Sequence, residues 1–221
     1  MTLKEKRKLL NQLQKNKSLG LQYFSPNIFK KTYSNALEAS NLCQLEELTL
    51  SCHLCQKAKI KNQVIFARGN KNSKIMILLP QVTSQDDKVN FSPSGKIEEI
   101  LIDILGKYLG LKLNDLYITN ILKCQMGNFS PSYDDISSCK KYLDKQIELI
   151  SPKIIISFGL ECYNYLFNDE IEYSKILDQN IFYKGTRIFI CQSLELLIRN
   201  PSFENKLKND MQKICQILEK I

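Results

Sequence analysis

From residue 74 onward, four short apolar runs alternate with longer amphipathic stretches: Ile75 to Leu79, Leu116 to Ile121, Lys153 to Phe158 and Arg187 to Cys191. Runs of this length suit strands buried on both faces, and the stretches between them have helical periodicity, at about 95–110, 133–150 and 160–168, with a last one at 202–219. Strand, helix, strand order predicts an α/β fold with a mostly parallel four-stranded sheet covered on both faces. In such sheets ligand chemistry gathers beyond the carboxyl ends of the strands. Those ends are Pro80 to Asp87, Asn120 to Pro131, Gly159 onward and Gln192 to Pro201. A chain of 221 residues, 43% hydrophobic and 24% charged, is long enough for one core and short for two.

Ahead of this pattern, residues 2–17 and 35–50 read as helices, the second with Leu37, Leu42, Leu45 and Leu48 at helical spacing. The expected organisation is a basic helical extension, residues 1–44, followed by a domain over residues 45–221. The net charge is +8, and between Lys4 and Lys31 eight basic residues meet one acid. That excess suits a polyanion such as DNA, although a Lys-, Asn- and Ile-rich composition also follows from an AT-rich genome. No stretch reaches the roughly 18 apolar residues of a membrane span, and Leu9 and Leu10 are too short for a signal-peptide core. A cytoplasmic monomer without membrane attachment is expected.

Eight cysteines in such a setting do not make a disulfide framework, because cytosolic thiols are kept reduced. Cys52 and Cys55 form a Cys-x-x-Cys pair in a polar loop, Cys124 follows the second strand, and Cys139 lies fifteen residues later in the next helix. Four thiolates from these places can enclose one metal centre. By spacing alone zinc and a [4Fe-4S] cluster both qualify; the wide second pair departs from the two Cys-x-x-Cys pairs of a zinc ribbon. Cys43, Cys162, Cys191 and Cys215 occupy positions that suggest packing, and His53 reads as a loop residue.

Several short segments carry a resemblance. Ala67-Arg68-Gly69-Asn70, Tyr117-Ile118-Thr119-Asn120-Ile121-Leu122-Lys123-Cys124, Gln146 to Lys153, Phe158-Gly159 and Leu197-Ile198-Arg199-Asn200-Pro201 follow one another in an order that resembles the iron-sulfur uracil-DNA glycosylases of family 4. The resemblance spans roughly residues 45–215. It implies a three-layer α/β/α domain, a [4Fe-4S] cluster on Cys52, Cys55, Cys124 and Cys139, and a partner that is DNA, single-stranded or uracil-containing. The target base would be flipped into a pocket at the strand ends.

Such a site needs an aromatic face and an amide to read the base, donors for the departing oxygen, and a group that orients water. The resemblance puts the base-reading amide at Asn120 and the stacking ring at Phe91, with Lys123 and Arg199 toward DNA. At the water-orienting position this chain has Pro80, within Leu79-Pro80-Gln81-Val82-Thr83. At the leaving-group position it has Ser193, within Cys191-Gln192-Ser193-Leu194. Asp86 and Asp87 are the candidate substitutes, although acids in a polar loop are usually solvated. The Arg-Gly pair that precedes the last strand in the family corresponds here to Asp178-Gln179. Serine donates one hydrogen bond and cannot become cationic, and proline does neither. The expectation is a DNA-binding, cluster-containing protein with lost or greatly reduced base excision. The alternative is an active glycosylase with a rearranged site acting on uracil or another deaminated base.

Overall fold

The computed structural model describes residues 38–55, 61–127, 130–176 and 179–218. The helix expected over residues 2–17 lies outside them, as does Asp178. Helix α1 is Leu42–Leu50. Strands β1 (Arg68–Gly69) and β2 (Ile75–Val82) lead to α2 (Ser84–Val89) and α3 (Gly95–Ile104), which a π-helical turn extends over Leu105–Leu109. Strand β3 (Tyr117–Gln125), α4 (Tyr133–Ile150), β4 (Ile154–Phe158) and α5 (Leu160–Phe167) follow. The chain continues through α6 (Tyr173–Ile176), β5 (Ile181–Tyr183), β6 (Thr186–Cys191), α7 (Leu194–Arg199) and α8 (Glu204–Leu218).

The sheet has the order β1-β3-β2-β4-β6-β5, with β3, β2, β4 and β6 parallel. The four expected strands are therefore its parallel centre. Two short antiparallel edges, β1 on β3 and β5 on β6, bring the count to six rather than four. Runs of two and three residues leave too little periodicity for sequence to show them. Gly69 in β1 has φ +95°, and a Cβ there would lie 2.0 Å from the Leu116 carbonyl oxygen. Only glycine lets the first edge close on β3.

Alternation along β2 divides the core. Ile77 and Leu79 point to the layer of α3, α7 and α8 with Leu101, Leu194 and Met211, while Met76 and Leu78 point to α4 and α5 with Leu143, Ile147 and Cys162. This is the three-layer α/β/α arrangement. A smaller cluster docks α1 on α4 through Ala39, Leu45, Phe66 and Tyr142. The domain boundary expected after residue 44 thus falls inside α1, whose apolar face belongs to the domain core.

Candidate functional site

The two ladders of β2 end at different points. Pairing with β4 stops at Leu78 and Ser157, whereas pairing with β3 continues to Val82 and Gln125. Pro80 is tolerated there because no β4 partner is left to miss its absent N–H. Beyond that point the chain turns into α2 and opens a pocket lined by Pro80, Gln81, Thr83, Asp86, Ser193 and Glu195, among others. Pro80 and Ser193, far apart in sequence, face one pocket at the carboxyl ends of the parallel strands. Ser193 is the N-cap of α7, its hydroxyl accepting from the Leu196 N–H at 3.5 Å. The charged side chains among the described lining are Asp86 and Glu195, both acids.

Asp86 and Asp87 are not the solvated loop acids that the sequence suggests. Thr83 and Asp86 form a capping box at the start of α2, and both acids are buried. Asp86 accepts from the Thr83 N–H (2.9 Å), the Ser92 hydroxyl (3.0 Å) and the Ser94 hydroxyl (2.6 Å). Ser92 Oγ also stands 3.4 Å from Asn120 Oδ1, so the amide meant to read a base sits under this network, 1% exposed. Asp87 accepts from Asn62 at 2.7 Å through one oxygen. Each bond to a charged acceptor is worth about 1.5–3 kcal/mol, so Asp86→Ala is expected to lower stability by about 3 kcal/mol in denaturant unfolding. A loss below about 0.5 kcal/mol, within the range of an ordinary surface change, would show that Asp86 is not a structural anchor.

Phe91 is exposed at the end of this segment, with the Arg68 guanidinium 5.1 Å from its ring centre. Arg68 is fixed in turn by Glu98 at 2.6 Å and the Pro93 carbonyl at 3.1 Å. Arg199 is exposed in the last turn of α7, as a phosphate contact requires.

Cys52, Cys55, Cys124 and Cys139 line one small cavity together with Lys61, Lys123 and Tyr142. Among the described residues no three His, Cys, Asp or Glu side chains are drawn close enough to hold a single ion, so the observation is a shared cavity rather than a closed coordination sphere. Local folding explains the convergence. Helix α4 starts at a capping box of Ser132 and Asp135, which puts Cys139, Tyr142 and Gln146 on one stripe. The register of β3 against β2 shifts between Gln81–Leu122 and Val82–Gln125. This irregularity lets Lys123 and Cys124, adjacent in sequence, reach the same cavity. Burial pushes the Cys124 thiol up to about 12 and the Cys139 thiol up to about 11, so a metal centre loaded here must displace protons. The donor set, four thiols and no histidine, fits an iron-sulfur centre. Cys162 and Cys191 are packing residues as expected and Cys215 is half-buried, but Cys43 is exposed on α1.

Lys123 corrects the sequence reading. It is 1% exposed, and its Nζ donates to Gln146 Oε1 (2.5 Å), Thr119 Oγ1 (2.5 Å) and the Phe66 carbonyl (3.3 Å). A side chain held there by the α4 face does not reach a DNA phosphate. Lys61, Tyr142 and Gln146 were given no role by sequence reasoning. Their signal was helical spacing from Cys139 for two of them and nearness to the Cys-x-x-Cys loop for the third.

A parallel α/β sheet with a pocket at its strand ends and a second cavity lined by four cysteines defines a domain of the open α/β class. The description Uracil DNA glycosylase superfamily matches residues 66–219, and the chain belongs to that superfamily. It is 26% identical over 186 residues to a type-4 uracil-DNA glycosylase of Sulfurisphaera tokodaii, covering 80% of this chain and 84% of the relative. Identity to the type-4 enzyme of Saccharolobus solfataricus is 28% over 188 residues, 80% of this chain and 87% of that one. For the type-4 enzyme of Archaeoglobus fulgidus it is 24% over 181 residues, 77% and 90%.

Proposed function

We propose that this protein binds DNA, carries a [4Fe-4S] cluster on Cys52, Cys55, Cys124 and Cys139, and has lost most or all of its capacity to excise uracil. The observation that carries the reading is the meeting of Pro80 and Ser193 at one pocket, in a superfamily whose relatives are named as uracil-DNA glycosylases. Neither side chain moves a proton at neutral pH, and the acids beside them, Asp86 and Glu195, oppose a departing base anion rather than stabilise it. A rearranged active site built on Asp86 is disfavoured by its three hydrogen-bond donors, which commit it to holding α2 and the Ser92 segment.

DNA contact is assigned to Arg199 and base contact to Phe91 and Asn120, the last only if the Ser92 segment moves aside. Anaerobically purified protein is expected to be brown, with about four iron and four sulfide per chain; a colourless zinc protein would overturn the cluster assignment. On a fluorescent single-stranded oligonucleotide, binding should weaken roughly twentyfold between 50 and 200 mM salt, as about three phosphate contacts require. Absent or salt-indifferent binding would instead leave a protein-interaction module. An alkali-cleavage assay on a uracil oligonucleotide completes the test, robust scission being the result that defeats the reading.

A further inference from the structure

Lys123 presents a problem that its neighbours do not solve. Its three acceptors, Gln146 Oε1, Thr119 Oγ1 and the Phe66 carbonyl, match the three N–H donors of an ammonium, yet none of them is charged. Among the described residues it joins no ion pair. A buried cation without a counter-charge is one of the costlier arrangements in a folded protein. It lines the cavity that all four cysteines share, so thiolates formed there on loading a metal centre would face it.

We propose that Lys123 is the buried counter-ion of the thiolate-bound cluster, a positioning residue for the centre and not a DNA contact. The inference rests on the cluster reading above and goes beyond it. Four thiolates and the iron-sulfur core they would hold are net anionic, and the Lys123 ammonium would stand against them. The Tyr142 hydroxyl, on the same cavity, donates to the Leu48 carbonyl at 3.5 Å. Lys61 Nζ, which lines the same cavity, donates to the Cys52 carbonyl. Gln146 from α4 and Thr119 from β3 orient the ammonium, so its charge is placed by two elements that also carry a cysteine each.

A cation beside the centre favours the electron-rich state, so its removal shifts the reduction midpoint to more negative potential and loosens the cluster. Two variants test this in the cluster-loaded protein. Lys123→Met removes the charge at similar length. Gln146→Glu keeps the shape and offers the ammonium a carboxylate in place of the amide oxygen, diverting the same charge. Both are expected to move the midpoint potential in the negative direction and to bleach in air about tenfold faster, the scale of lost support around a metal site; Lys123→Arg should keep the wild-type potential. Wild-type iron content, bleaching rate and potential in both Lys123→Met and Gln146→Glu would overturn the proposal while leaving the cluster reading intact. A wild-type protein without iron would overturn both. If Lys123→Met does not fold, the near-isosteric Gln146→Glu decides alone.

Discussion

On a single-stranded oligonucleotide with one uracil, base release by this protein is expected to run at least about 10⁴-fold below that of an enzyme with the full acid and leaving-group pair. General acid-base and charge-stabilising groups are worth about 10²- to 10⁴-fold each, and two positions have changed. The geometry argues against rescue from nearby side chains. Asp86 is already bonded to Thr83, Ser92 and Ser94, and Ser193, whose oxygen accepts from the Leu196 N–H, has only a neutral O–H to donate. The reverse experiment is sharper. Pro80→Glu with Ser193→His puts a carboxylate and an imidazole into the pocket that both positions line. Loss of the α7 cap costs about 1 kcal/mol, which the domain should survive. The double variant is expected to raise uracil release by about 10²-fold or more, measured by alkali cleavage, and adding Asn120→Ala should abolish the gain. An unmodified protein that already cleaves efficiently would mean that chemistry has moved to other residues. A silent double variant that still binds DNA would mean that the closed Ser92–Asn120 contact, not the missing groups, limits the reaction.

The parallel sheet and the cysteine set were legible because each rests on pattern. Strands buried on both faces make continuous apolar runs, and Cys52, Cys55, Cys124 and Cys139 stand out by residue type. What escaped notice depends on direction. Lys123 reads as a surface cation until the irregularity in β3 turns it inward beside Cys124. Asp86 and Asp87 read as loop acids because a six-residue helix is too short for periodicity, although Thr83 three residues before Asp86 was an available cap signal. Asn120 reads as the end of its strand, but β3 runs on to Gln125 and pairs Asn120 with Leu79, and its cover by Ser92 comes from a contact 28 residues away in sequence. Sequence shows which groups are present; the hydrogen bonds that already occupy them emerge only once the chain is folded.

The other large effect concerns the cysteine cavity as a fastening. Segment 61–66 threads between the cavity and the pocket: Lys61 lines the first, Asn62 and Gln63 bond to Asp87 on α2, Ile65 N–H donates to the Lys123 carbonyl, and the Phe66 carbonyl receives Lys123, Thr119 and Gln146. A centre bound to Cys52 and Cys55 on one side and to Cys124 and Cys139 on the other would tie this segment and α1 to β3 and α4. Structural metal sites can contribute about 10–16 kcal/mol, comparable with the whole stability of a domain, about 5–15 kcal/mol. Cys124→Ser and Cys139→Ser are therefore expected to lose the visible absorbance and iron, and to open residues 61–66 and 42–50 to hydrogen exchange. Their melting temperature should fall by well over the roughly 4 °C that 1 kcal/mol represents. Cys162→Ser is the matched control, since Cys162 is fully buried under β2 but touches no part of the cavity. It should keep its iron and lose about 1–2 kcal/mol. If the two cavity variants melt like Cys162→Ser with iron intact, Cys124 and Cys139 are not required ligands and the cavity is not the fastening proposed.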